Sequence, residues 1–116
     1  MYTYACKVVN VVDGDTIDIE LDLGFDVKMK ERVRLLDVDT PEVFGKKAVP
    51  EGTTASDFTK HWLEERAARG WFVYESKRYN ARDKYGRSLG YLRWTSKDGK
   101  TEVLNEAIVV SGNIKK

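Results

Sequence analysis

Apolar and polar residues alternate early in the chain: Ile17, Ile19, Leu21 and Leu23 are interleaved with Asp18, Glu20 and Asp22. A two-residue period gives a strand one buried and one solvated face. Residues 4–12 read as a strand before it, and Asp13-Gly14 between the two is a strong signal for a tight hairpin. Residues 27–38 contain a third strand, after which Pro41 and residues 45–53 mark a loop carrying Lys46 and Lys47. A helix is expected next, with Thr54 as N-cap and Asp57 three residues on. Phe58, Trp62, Leu63 and Ala67 recur at helical spacing, and Gly70 supplies the stop. This helix should bury Phe58 and Trp62. Residues 71–78 and 88–95 give two more strands. A turn around Asp98-Gly99 and a short helix from about Glu102 to Ser111, closed by Gly112, complete the order βββαββα.

Five short strands with a helix after the third predict a mainly β fold with helices. The expected form is a five-stranded Greek-key β-barrel of the OB-fold type, which leaves no long free edge and puts binding surfaces on loops and one face. A flat α+β sandwich is the second choice. At 116 residues and 41% hydrophobic, the chain suits a single domain over residues 1–116 with one modest core. No repeat or low-complexity segment suggests otherwise. The longest apolar runs, such as residues 107–110, are far too short to span a membrane. The opening MYTYACKVVN lacks the pattern of a signal peptide, so a soluble protein of open location is expected. Cys6, the sole cysteine, excludes an internal disulfide and reads as a small buried apolar residue.

A net charge of +1 is not that of a dedicated nucleic-acid-binding domain, but its distribution is uneven. Residues 13–26 hold six acids and no base, whereas residues 76–93 hold six bases against Asp83 alone. The first stretch could hold a cation and the second a polyanion.

Three separated clusters carry the candidate chemistry: Asp13-Gly14-Asp15-Thr16, Arg34-Leu35-Leu36-Asp37-Val38-Asp39-Thr40-Pro41-Glu42, and Asp83-Lys84-Tyr85-Gly86-Arg87. Each alone is an ordinary turn or strand end. Together they supply carboxylate oxygens, a neighbouring backbone carbonyl and two guanidinium groups, the parts needed for metal-assisted phosphodiester cleavage. Asp15 and Asp39 are candidate ligands for a hard cation such as calcium, which takes oxygen donors in irregular geometry. Arg34 and Arg87 can each meet a phosphate with two parallel hydrogen bonds and stay charged throughout. Glu42, beyond the rigid Pro41, is placed to orient or deprotonate an attacking water. His61 lies far in sequence from these clusters and reads as a surface side chain.

The same motifs, in the same order, resemble the staphylococcal nuclease family. Residues 55–60 and Asn105-Glu106-Ala107 also look like segments of it, so the likeness runs from about residue 5 to 112. The resemblance implies an OB-fold nuclease that uses Ca2+ to hydrolyse DNA and/or RNA and leaves 3′-phosphate ends. By matched position it implies Asp15 and Asp39 as metal ligands, with Thr40 as a ligand through its backbone carbonyl. It further implies Glu42 as the water-activating carboxylate, Arg34 and Arg87 on the scissile phosphate, and Lys84 and Tyr85 beside a terminal phosphate and sugar. Lys46 and Lys47 are further candidate substrate contacts. A non-catalytic nucleic-acid- or peptide-binding OB-fold module is the alternative, although all six catalytic and ligand positions are retained.

Family members continue past the position of Gly112 through a tyrosine-bearing loop into a helix that packs on the barrel. Weaker substrate binding is therefore expected, with Tyr85 as the main stacking aromatic. A homo-oligomer could cover the corresponding face, where Trp71 and Trp94 are candidate exposed groups. Between Asp15 and Arg34 the chain is longer than the family pattern, which predicts an extended second hairpin.

Overall fold

The computed structural model of the protein describes residues 2–42, 50–77 and 82–114. Among them the order is β1 (Tyr2–Asp13), β2 (Thr16–Asp22), β3 (Lys28–Leu35), α1 (Pro50–Ala67), β4 (Gly70–Ser76), β5 (Ser88–Ser96), β6 (Thr101–Val103) and α2 (Leu104–Ser111). β1 pairs antiparallel with β2 and β4, β2 with β3, and β4 with β5. A short parallel pairing, Val33↔Ser88 through Leu35↔Gly90, joins β3 to β5 and closes the ring. The result is the closed five-stranded OB-type barrel that the strand pattern predicts.

Closure follows from the alternation. Ile17, Ile19 and Leu21 of β2, Val33 and Leu35 of β3, Phe72 and Tyr74 of β4, and Leu92 and Trp94 of β5 all point inward and are buried. At Gly90 an added Cβ would stand 2.7 Å from the Tyr74 ring and closer still to the Glu75 carbonyl oxygen, so β4 and β5 meet there only because no side chain intervenes. α1 covers part of the barrel with Ala55, Trp62 and Leu63 buried, and α2 adds Leu104 and Ile108. No helix is long and apolar enough to cross a membrane among the described residues.

The element boundaries depart from expectation in two places. α1 begins at Pro50, four residues before the Thr54 cap, within the segment expected to be loop. A proline at the first helical position lacks only an N–H that would have no helical partner, and Glu51 behind it favours the positive end of the helix dipole. Glu102 and Val103, expected to open the last helix, instead belong to β6, which pairs with Arg93–Thr95 across the Asp98-Gly99 turn. The sheet's hydrogen bonds claim those residues, and the helix starts only at Leu104. Gly112 closes it in left-handed conformation, as expected.

The tryptophans also separate. Trp62 is buried as expected, and Phe58 is partly buried against the core. Trp71 is half exposed, but Trp94 is not the surface group expected of it. Its indole N–H donates to the Arg66 carbonyl at 2.9 Å, and the Arg66 guanidinium lies 5.7 Å from its ring, so the end of α1 buries it. Cys6 is partly buried, and burial pushes its thiol up to about 12, which leaves it without thiolate reactivity at neutral pH.

Candidate active site

Register brings the first two clusters together. Thr16, at the start of β2, sits directly across from Arg34 near the end of β3, and the Leu35 amide donates to the Asp15 carbonyl at 2.8 Å. Past β3 the chain turns at Asp37, which adopts a positive φ of 63° and accepts a 2.6 Å hydrogen bond from the Tyr91 hydroxyl. The reversal carries Thr40 back so that its amide donates to Asp15 Oδ2 at 2.9 Å. Arg34 is pinned inside this bend: Nη1 donates to the carbonyls of Leu35 and Val38, both at 2.6 Å. Its Nη2 lies 3.2 Å from Asp15 Oδ2 and 3.5 Å from Asp39 Oδ1. Two carboxylates thus converge on one nitrogen, with Asp15 buried and Asp39 largely exposed.

The third cluster is a tight turn organised by Asp83. Its carboxylate accepts from the amides of Tyr85 and Arg87, both at 2.9 Å, and from Arg87 Nε at 2.6 Å. Burial works to raise the Asp83 pKa, but these hydrogen bonds and the guanidinium charge outweigh it and hold the carboxyl below its usual range. Arg87 Nη1 lies 3.5 Å from the Thr16 hydroxyl, which in turn donates to Asp15 Oδ1 at 3.2 Å. Asp39, Arg34, Asp15, Thr16, Arg87 and Asp83 therefore form one continuous polar chain across three strand ends.

α1 braces this chain from behind. The buried Thr59 hydroxyl donates to the Gly14 carbonyl at 2.7 Å. A Cβ on Gly14 would meet Ala55 Cβ and both Thr40 Cγ2 and Oγ1 at 3.0 Å. The missing side chain lets the β1–β2 turn lie close to the helix and to the Thr40 bend without displacing either.

Tyr85 projects into solvent with the Lys84 ammonium and the Arg87 guanidinium each 5.2 Å from its ring centroid. Glu42 is partly buried. Lys46 and Lys47 lie outside the described residues. His61 is exposed on α1, as expected of a surface side chain.

Among the described residues no group of three or more His, Cys, Asp and Glu side chains converges to hold a metal. Asp15 and Asp39 nevertheless supply two hard oxygen donors beside the Thr40 backbone. Thr40 Oγ1 is a buried oxygen without a hydrogen-bond partner among the described residues. This donor set fits a hard cation that completes its shell with carbonyl and water oxygens, and it does not fit a softer ion that demands nitrogen or sulfur.

Residues 32–114 match the family model described as staphylococcal nuclease homologue. The chain belongs to this family. It is 35% identical over 108 residues to a thermonuclease of Staphylococcus hyicus, an alignment covering 91% of this chain and 55% of that protein. It is 45% identical over 87 residues to a thermonuclease of Staphylococcus intermedius, covering 73% of this chain and 46% of that one. Protein ParB of Escherichia coli is 31% identical over 113 residues, covering 91% and 53%. The chain spans about half the length of the curated relatives it matches.

Within this staphylococcal nuclease homologue, several positioning groups carry no motif of their own in the sequence. Thr16 was legible only as part of Asp-Gly-Asp-Thr, yet its hydroxyl links Asp15 to Arg87. Thr59 lies within the family-like segment 55–60, but its role was not legible, because its partner is a backbone carbonyl 45 residues away. Asn105 donates to the carbonyls of Leu36 at 2.8 Å and Gly90 at 3.2 Å, and accepts from the Leu92 amide at 3.1 Å. Asn105-Glu106-Ala107 stood out as a family-like segment, but the three backbone groups that Asn105 joins did not.

Proposed function

We propose that the protein is a calcium-dependent nuclease that hydrolyses phosphodiester bonds of DNA and/or RNA, leaving 3′-phosphate ends. The observation that carries this reading is the pair of guanidinium groups, Arg34 and Arg87, held on either side of the Asp15–Thr16 corner beside Asp39. Membership of the staphylococcal nuclease homologue family supports it.

Asp15, Asp39 and the Thr40 carbonyl would hold the calcium ion, which when bound neutralises phosphate charge and favours ionisation of a coordinated water. Glu42 orients the attacking water and accepts its proton. As the new P–O bond forms and the bond to the 5′-oxygen breaks, negative charge rises on the non-bridging oxygens. Arg34 and Arg87 donate to those oxygens and do not themselves lose a proton. The 5′-oxygen takes up a proton from solvent, and the phosphate stays on the 3′ side. Lys84 and Tyr85 contact a terminal phosphate and its sugar, with Lys46 and Lys47 as further substrate contacts.

The test is release of acid-soluble nucleotides from single-stranded DNA with calcium and with a chelator, alongside the Glu42→Gln, Arg34→Lys and Arg87→Lys variants. Calcium-dependent cleavage is expected, with each arginine variant slower by roughly a hundredfold or more, since lysine cannot reproduce the two-pronged contact. A folded protein without cleavage under any condition would replace this reading with a non-catalytic binding module.

A further inference from the structure

The extended hairpin between β2 and β3 presents one apolar and one charged face. On the charged face Asp18 pairs with Arg32 and Asp22 with Lys28, while Glu20 stands opposite Lys30. On the other face Leu21 stands opposite Met29, and Leu23 is bonded to Val27, its amide donating to the Val27 carbonyl at 2.9 Å. Leu23, Val27 and Met29 are all exposed, as is Tyr2 at the start of β1.

Phe25 stands at the tip, 103% exposed, so it touches nothing in its own chain. Gly24, Phe25 and Asp26 take successive positive φ values of 85°, 52° and 62°. A bulky side chain rarely adopts that conformation, and such strain concentrates where a residue has to be presented. The turn is locked all the same: the Gly24 amide donates to Asp22 Oδ1 and the Val27 amide to the Gly24 carbonyl, both at 2.9 Å.

Below the hairpin lies a cleft of about 360 Å³ at the mouth of the barrel. Tyr4, Leu21, Leu23 and Met29 form its apolar side, Tyr74 lies among its lining residues, and the Glu31–Arg82 ion pair bounds it. A cavity of about 150 Å³ already accepts a benzene ring, so this cleft has room for a phenyl group. The chain's own Phe25 does not fill it, since that side chain is fully exposed.

We propose that the protein forms a two-fold symmetric dimer in which Phe25 of each copy seats in the barrel-mouth cleft of the other. The same patch then serves on both sides, as a two-fold interface requires. Tyr2, Leu23, Phe25, Val27 and Met29 expose roughly 500 Å², scaled from about 150–250 Å² for a whole aromatic side chain. Two such patches together reach about 1,000 Å², the lower bound for a specific interface. The acid–base pairs on the hairpin's other face neutralise one another, and Asp26 beside the tip leaves the arm net negative, which does not suit a polyanion.

Sedimentation equilibrium from about 1 µM to 1 mM tests the proposal, since an interface of this size is expected to associate in the micromolar range. The wild type is expected to shift from monomer to dimer within that range. Phe25→Asn removes the ring but suits the left-handed backbone, so it should fold and weaken the dimer at least tenfold. Met29→Lys, at the edge of the cleft, should weaken it comparably, while circular dichroism of both variants stays that of wild type. A wild type that remains monomeric throughout overturns the proposal, as does a dimer that survives Phe25→Asn. Loss with Phe25→Asn but no effect of Met29→Lys overturns the seating of Phe25 in the cleft.

Discussion

Gly14→Ala tests whether α1 sets the geometry of the site through the β1–β2 turn. The added methyl would meet Ala55 Cβ, Thr40 Cγ2 and Thr40 Oγ1, each at 3.0 Å. Side-chain carbons seldom come this near, so relief requires the turn or its neighbours to give by a few tenths of an ångström. Overpacking of this kind costs about 1–3 kcal/mol. At about 4 °C per kcal/mol for a chain of this length, Tm should fall by about 4–12 °C. The effect on turnover should be larger than that loss implies. Asp15 is the next residue in the chain, and Thr40, which takes two of the three contacts, is the residue whose amide holds Asp15. A displacement of about 1 Å at reacting groups costs about a hundredfold in rate, so a few tenths of an ångström should cost severalfold to about tenfold. Initial rates at a temperature where circular dichroism shows the variant fully folded should therefore fall by severalfold to about tenfold. Wild-type rates together with a lowered Tm would refute the argument, because the turn would then be free to move without disturbing the site.

Asp83→Asn should lower turnover at least tenfold by releasing Arg87 from its 2.6 Å bond, with the fold retained by circular dichroism. Because the Asp83 pKa is depressed in the folded protein, its stabilising contribution is present above about pH 4 and lost as pH falls through the lowered value. The variant should therefore lose less stability than wild type across that acid window in denaturant titrations. Asn105→Ala should cost about 1–3 kcal/mol in urea unfolding, since it leaves the buried Leu92 amide and the partly buried Leu36 carbonyl without their partner, while the Gly90 carbonyl keeps the Leu36 amide at 2.9 Å. Arg34→Gln should tighten calcium binding in calorimetry while abolishing most turnover, because it removes a cation that lies 3.2 Å from Asp15 and 3.5 Å from Asp39. Weaker calcium binding in that variant would show that Arg34 orders the ligands rather than competing for them.

What could be read along the chain was whatever depends on near neighbours. The alternation in residues 17–23 shows which face of β2 is buried, and Asp13-Gly14 marks the hairpin that places Asp15. The three clusters were legible because each is contiguous. Trp94 was misjudged because its burial depends on Arg66, 28 residues earlier, whose carbonyl accepts the indole N–H. The late helix start and β6 follow from a pairing with β5 that local propensity does not encode. Pro50 was a missed local signal, since a proline followed by a glutamate is a helix opening as readily as a loop. The links between clusters through Thr16, Thr59 and Asn105 depend on tertiary approach, which no spacing along the chain expresses.

The two arginines show what that approach achieves. Arg34 is pinned through Nη1 by two backbone carbonyls, which leaves Nη2 directed toward the carboxylates. Arg87 is pinned through Nε by Asp83, which leaves its Nη groups toward Thr16. Each guanidinium is held by the scaffold along one edge, so under the proposed function little side-chain freedom would be lost on meeting a phosphate. Lysine cannot divide its role in this way, because an ammonium offers one nitrogen with no fixed direction. If it bonds to the Val38 carbonyl it is withdrawn from the phosphate, and if it reaches for the phosphate it abandons the bend that carries Thr40 to Asp15. The rate lost on substituting lysine therefore measures preorganisation rather than charge, since the charge is conserved.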